Sequence, residues 1–175
     1  MKVLEGLKEN IIEYAKETNK EVWFYPEYHE VKGFLGEQDI ILLGLNPSSG
    51  IFPSEKDKLL YNLLKEKGLN QIHITDLIKV RAKNESVINL LTNTELMKEQ
   101  INFFSDELLI INPKVIITMG VQCDNLLKQY FPKIDSIYKI FNIKHYSFRY
   151  QKREEVFKEI SESLDKIKEE YQKIK

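Results

Sequence analysis

The sequence predicts an α/β protein: a three-layer α/β/α sandwich around a central, mainly parallel four-stranded sheet. Two observations predict it. Short apolar runs of strand length alternate with longer segments whose apolar residues recur at helical spacing, the pattern of parallel strands covered by helices on both faces. The runs also end in residues suited to turns and chemistry: Asn46, Asp76, Gly120 and His145. In open parallel sheets, ligands gather beyond the carboxyl ends of the strands.

The elements follow in order. Residues 2–18 read as a helix, with Val3, Leu4, Leu7, Ile11, Ile12 and Ala15 near one face. The aromatic stretch "EVWFY" reads as an edge strand or a packed loop. Residues 39–45 form the first core strand. Ser54, with Asp57 three residues on, resembles a capping box opening a helix whose apolar face is Leu59, Leu60, Leu63 and Leu64, and Gly68 is its stop. The second strand falls in "IHITDLIKV", 72–80. A helix from about 95 to 110 runs into Pro113, which cannot continue it. The third strand is 114–120, and a helix over 121–131 begins directly after Gly120. A fourth strand lies within 137–147 and ends near His145. The segment 151–174 closes the chain as a helix with Val156, Ile160, Leu164 and Ile167 on one stripe.

Length and composition place this chain among ordinary globular proteins. Its 175 residues suit one domain, 1–175, with a substantial core, and 42% hydrophobic against 30% charged residues is far from a disordered composition. The start of the chain lacks a basic-then-apolar leader, and no apolar run approaches membrane-spanning length. A single cysteine, Cys123, makes no internal disulfide and no four-cysteine metal site or cluster. With three histidines and no His-x-x-x-His pair, there is no recognisable metal-ligand set. The expectation is a cytoplasmic monomer with no cofactor, no metal and no membrane partner. A net charge of −1 neither proposes nor excludes nucleic acid. Basic residues do cluster locally: Lys79, Arg81 and Lys83 after the second strand, and Lys144, Arg149, Lys152 and Arg153 around His145. Such clusters form either a phosphate-binding rim or ordinary solvated surface.

The loop "GLNPSSG", 44–50, carries the chemistry at the first strand's end. Gly44 and Gly50 permit close backbone approach or positive φ, and Pro47 stiffens the turn. Asn46 is then held on a rigid element where its amide can orient a water or a ligand; Asn, Pro and Ser are equally the residues of an ordinary turn.

Five segments in order, from 39 to 150, resemble the uracil-DNA glycosylase superfamily. "GLNPSSG" is similar to the first motif, a Gly-x-Asn-Pro or Gly-x-Asp-Pro turn that positions the hydrolytic water. "FPSEKDKLLYNLLKEKGLN" is similar to the segment where an aromatic residue stacks on the extruded base, followed by a Leu-Leu-x-x-Leu-Leu helix. "IHITDLIKVRAK" resembles the Tyr-Ile-Thr-Asn-x-x-Lys-Cys-Arg-Pro strand of the iron–sulphur branch, and "INPKVIITMGVQCDNLL" its Pro-Lys-Val-Ile-x-x-x-Gly strand and helix. "HYSFR" stands where the second motif, His-Pro-Ser with a nearby arginine, is found.

The chain departs from that pattern in three places. Val80 takes the position of a cluster cysteine, so no iron–sulphur cluster is expected. Tyr146 replaces the proline of His-Pro-Ser. Asp76 stands where many uracil-specific members have asparagine. The resemblance implies a monofunctional DNA glycosylase whose partner is DNA containing a damaged base. Asn46 would position the water and His145 would stabilise charge on the departing base. Phe52 would stack on the base or else pack on the Leu59–Leu63 helix. Ser48, Ser49 and Ser147 would face phosphates, with Arg149 beside them, and main-chain groups of Gly44, Leu45 and Ser48 would approach the base. Asp76 leaves the base open: uracil and hypoxanthine share an N–H beside a carbonyl, which asparagine or a protonated aspartate complements, while an ionised aspartate accepts only from the N–H. Two other readings are a binding protein on the same fold without catalysis, and a serine hydrolase using Ser48 or Ser49 with His145 and Asp76. The second lacks a Gly-x-Ser-x-Gly elbow.

Overall fold

The first core run is apolar at every position because both of its faces are covered. In the computed structural model, which describes residues 2–82 and 87–174, β1 (Ile40–Gly44) is buried throughout. Side chains alternate across a strand. Ile40 and Leu42 therefore join a cluster with Leu60, Leu64, Ile160 and Leu164, while Ile41 and Leu43 face Phe104, Leu108 and Leu127 on the other side.

The described strands form one parallel sheet in the order β2 (His73–Asp76), β1, β3 (Val115–Met119), β4 (Lys139–Ile143). The winding reverses between β1 and β3, so the crevice for a ligand opens past Gly44 and Met119. Edge strand β4 alone exposes part of its length, as an edge with solvent beside it permits.

One face is covered by α2 (Glu55–Glu66) and α7 (Arg153–Ile174), the other by α4 (Thr94–Ile111) and α5 (Val121–Tyr130), with α1 (Lys2–Glu17) packed beside α4. Two short helices, α3 (Val87–Thr92) and α6 (Ile134–Ile137), connect the larger elements. Among the described residues, no helix is long and apolar enough to cross a membrane.

Several expected boundaries move. Val3 and Leu59 are exposed, and the α2 face that packs is Leu60, Tyr61, Leu63 and Leu64. The expected strand over 72–80 narrows to β2, because the chain bends at Leu77 and continues as buried coil, its Leu77 and Ile78 amides still donating to the end of β1. The expected strand over 137–147 begins only after the turn of α6. "EVWFY" is a packed loop tied to the sheet's flank by one antiparallel bridge between Val22 and Val80. At the end of α4 it is Asn112, in the left-handed conformation at φ 46°, that turns the chain before Pro113.

The largest correction concerns Lys79. It is 1% exposed, and its ammonium pairs with Glu107 of α4 at 2.7 Å while donating to the Asp76 carbonyl. His73 meets the same carboxylate at 3.1 Å and the Phe34 carbonyl at 2.6 Å. Burial alone would raise the Glu107 carboxyl, but Lys79 and His73 outweigh it and hold the group below the ordinary value. Lys79 therefore belongs to the interior and not to a phosphate rim; Lys83 lies outside the described residues.

Breaking a buried pair from one side leaves an uncompensated charge, which costs about 3–5 kcal/mol. Lys79→Met is expected to lower stability by about that amount, and Lys79→Met with Glu107→Leu to recover much of it, as read from urea unfolding midpoints.

Candidate active site

A cleft enclosing about 120 Å³ opens at the carboxyl ends of the strands. Asn46, Ser48 and Phe52 reach it from the loop after β1, and His145, Tyr146 and Ser147 from the loop after β4. The two loops come together because β1 and β4 flank β3 in the same direction, so their ends open on one side.

His145 sits at a tight crossing. Gly120 has φ 87°, a conformation that L side chains rarely adopt, and a Cβ there would lie 3.4 Å from the His145 Cβ. This glycine supplies the positive φ with which the chain enters α5 beside the histidine. The Ser147 amide donates to His145 Nδ1 at 3.1 Å, and the Ser147 hydroxyl lies 2.8 Å from the same nitrogen. A main-chain N–H can only donate, so Nδ1 must be an acceptor and the neutral ring carries its proton on Nε2. Burial, reinforced by the Lys56 ammonium, lowers the imidazole below its ordinary value and favours that neutral form. The Ser147 hydroxyl proton is thereby committed to the histidine, which places Ser147 as an orienting group for the ring.

The opposite wall is aromatic. Phe52 packs 5.8 Å from Trp23 and 5.6 Å from both Tyr28 and Tyr61, ring centre to ring centre. It lies against Tyr61 of α2 and also lines the cleft, so the two readings of this residue are compatible. Arg81 completes the wall: its guanidinium lies 5.5 Å from the Trp23 ring centre and pairs with Glu21 at 3.3 Å. Sequence reasoning missed Trp23, Tyr25, Lys56 and Asp57 as cleft residues. The density of aromatic residues in "EVWFYPEY" was the available signal for the first two.

The remaining candidates lie elsewhere. Ser49 and Arg149 are exposed and do not line the cleft, and Lys144 pairs with Glu159. The Gly44 and Leu45 carbonyls accept from the Leu77 and Ile78 amides. Gly44 has a local function: a Cβ there would collide with Asp76 Oδ1, so the missing side chain lets the Asp76 carboxyl rest against β1. Asp76 is 3% exposed, hydrogen-bonds Tyr25 and lies outside the cleft lining. Its Oδ2 is buried without a hydrogen-bond partner. Burial raises its carboxyl to about 7, with Lys79 opposing and Glu107 adding to the rise.

Two measurements check these environments. The native state holds the Asp76 proton more tightly than the unfolded chain, so the stabilising contribution is present at acid pH. It is lost as pH climbs from about 4, the unfolded value, through about 7. Asp76→Asn is expected to remove that slope in urea midpoints taken across the interval. In NMR titration the His145 imidazole is expected to protonate below 6.5, and Lys56→Gln to move it part of the way back, since burial remains.

The sequence pattern of the uracil DNA glycosylase superfamily matches residues 33–168, from the turn before β1 into α7. Among curated proteins, none matches the chain. The matched stretch covers well over half of the protein and contains all four described strands together with Asn46, Phe52 and His145. By that match, the chain belongs to the uracil DNA glycosylase superfamily.

Proposed function

We propose that this protein is a monofunctional DNA glycosylase that hydrolyses the bond between deoxyribose and a deaminated base, uracil or hypoxanthine. The observation that carries the reading is that Asn46 and a neutral His145 line one cleft, beside Phe52. Membership of a superfamily of DNA glycosylases supports it.

The bond to the base breaks through a cation-like sugar, leaving an anionic base. His145 offers Nε2–H to the base oxygen on which that charge collects, and a preorganised donor at such a point is typically worth about 10²–10³ in rate. Asn46 orients the attacking water. An amide is no proton acceptor of useful strength, so the water attacks a sugar that already carries positive charge. Phe52 stacks on the extruded base, a contact of roughly 1–3 kcal/mol that helps offset the few kcal/mol of unstacking. Ser48 lies at the cleft mouth within reach of a phosphate. The Lys56 amine also lines the cleft, but it donates to the Ser147 carbonyl at 3.3 Å, which favours water over an amine as nucleophile. With Asp76 outside the cleft lining, the base is read by the shape of the aromatic wall and by main-chain groups of the Asn46–Phe52 loop.

The test is a set of oligonucleotides, single- and double-stranded, carrying uracil, hypoxanthine, xanthine or a G·T mismatch, scored for abasic sites before and after alkali. Uracil release without strand scission is expected, with no borohydride-trapped complex. Asn46→Ala and His145→Ala are each expected to slow release by at least about a hundredfold while remaining folded. Tight binding with no base released from any substrate would instead establish a protein that binds without catalysis.

A further inference from the structure

The loop that presents His145 lacks the proline that stiffens the corresponding motif in the family it resembles, and carries Tyr146 there. The structure supplies a different restraint. The Tyr146 hydroxyl donates to Asp57 Oδ1 at 2.9 Å, across 89 residues of sequence. Asp57 is the third residue of α2, and its other oxygen accepts from the Ser54 amide at 2.8 Å and the Ser54 hydroxyl at 2.7 Å. One carboxylate therefore caps the helix that follows the Asn46 loop and holds the loop that carries His145. Lys56, from the same helical turn, adds a contact to the Ser147 carbonyl. The Tyr146 ring stacks on the His145 ring at 4.9 Å and 17°, so whatever fixes the tyrosine also fixes the imidazole.

We propose that Asp57 is a positioning residue for the reaction, acting through the Tyr146 hydroxyl to set His145 against Asn46. Burial, and then the neighbouring Asp57 charge, raise the Tyr146 phenol above its ordinary value, so the hydroxyl keeps its proton and remains a donor. Tyr25 backs the arrangement, interacting with Tyr146 on one side and Asp76 on the other. In place of a stiff backbone, the loop is anchored by a charge-assisted hydrogen bond, the stronger kind of such contacts. Displacement of a catalytic group by about 1 Å can cost roughly a hundredfold in rate.

This inference rests on the glycosylase reading, and the experiment separates the two. Tyr146→Phe keeps the ring and its stacking while removing the hydroxyl. Single-turnover excision from a uracil oligonucleotide is expected to slow by about ten- to a hundredfold, with the half-saturating concentration changed less than about threefold. Asp57→Ala is expected to slow excision similarly, and the double variant to be no slower than the slower single one, because both remove the same contact. Nitrogen-15 spectra of the His145 ring provide a readout independent of activity: wild type shows an acceptor Nδ1 and a protonated Nε2, and Tyr146→Phe keeps that tautomer but shifts and broadens the Nδ1 resonance as the ring loses its fixed position against Ser147. An unchanged rate and an unchanged His145 spectrum in Tyr146→Phe would overturn the proposal, as would fully additive losses in the double variant. If Tyr146→Phe fails to fold, Asp57→Ala is read by the same two criteria. If the wild-type protein releases no base, the glycosylase reading falls, and the ring spectra still decide whether Asp57 sets His145.

Discussion

The hydrogen-bonded position of β1 is the constraint on which the rest of the structure depends. It pairs in parallel with β2 on one side and β3 on the other, and both of its faces are buried. A strand enclosed on four sides can deliver polar residues only at its ends, and parallel neighbours deliver theirs in the same direction. Asn46 after β1, the Gly120 turn after β3 and His145 after β4 thus share one edge of the sheet. The reversal of winding between β1 and β3 opens the space that lets the loops turn toward one another.

The chemistry of the cleft depends on which groups are kept neutral and which are kept charged. The neutral form of His145 is favoured because the ring is half-buried near an ammonium and because a main-chain amide donates to Nδ1. That combination leaves the ring's one proton on Nε2. Behind the cleft the opposite strategy operates. Lys79, Glu107 and His73 retain polar contacts deep in the interior because each has a partner. Asp76, whose second oxygen has none, is driven toward its protonated form instead. Buried charge is tolerated in proportion to its partners.

Tyr146 and Val80 show how the fold absorbs departures from a familiar pattern. Val80 stands where the iron–sulphur branch has a cysteine; here it packs with Ile78, Leu90, Leu96 and Met97 in a small apolar cluster. That position is held by hydrophobic burial. Tyr146, where a proline would restrict the backbone, is restrained from outside by Asp57. In both cases the restraint moves from covalent or coordinate geometry to packing and hydrogen bonding between elements distant in sequence.

The sequence by itself determined the layered architecture, since apolar periodicity and helix caps are local signals. The Ser54–Asp57 capping box is formed as read from four residues, and the buried stripe of α7 falls on Val156, Ile160, Leu164 and Ile167 as its spacing implies. The stretches around Asn46 and His145 each suit an ordinary turn taken alone, and they became legible only as part of five segments in an order that resembles the superfamily. What the tertiary structure alone decided was the company those residues keep. Lys79 reads as a surface cation until Glu107, 28 residues away, is found beside it in the core. Asp76 reads as one candidate for contacting the base until it is found buried outside the cleft lining, hydrogen-bonded to Tyr25. Asp57 reads only as a cap until Tyr146 arrives from the loop after the edge strand β4. Each of these assignments turns on a pairing between distant segments, and the energy of a charge or hydroxyl is set by its neighbours in space, which local pattern does not specify.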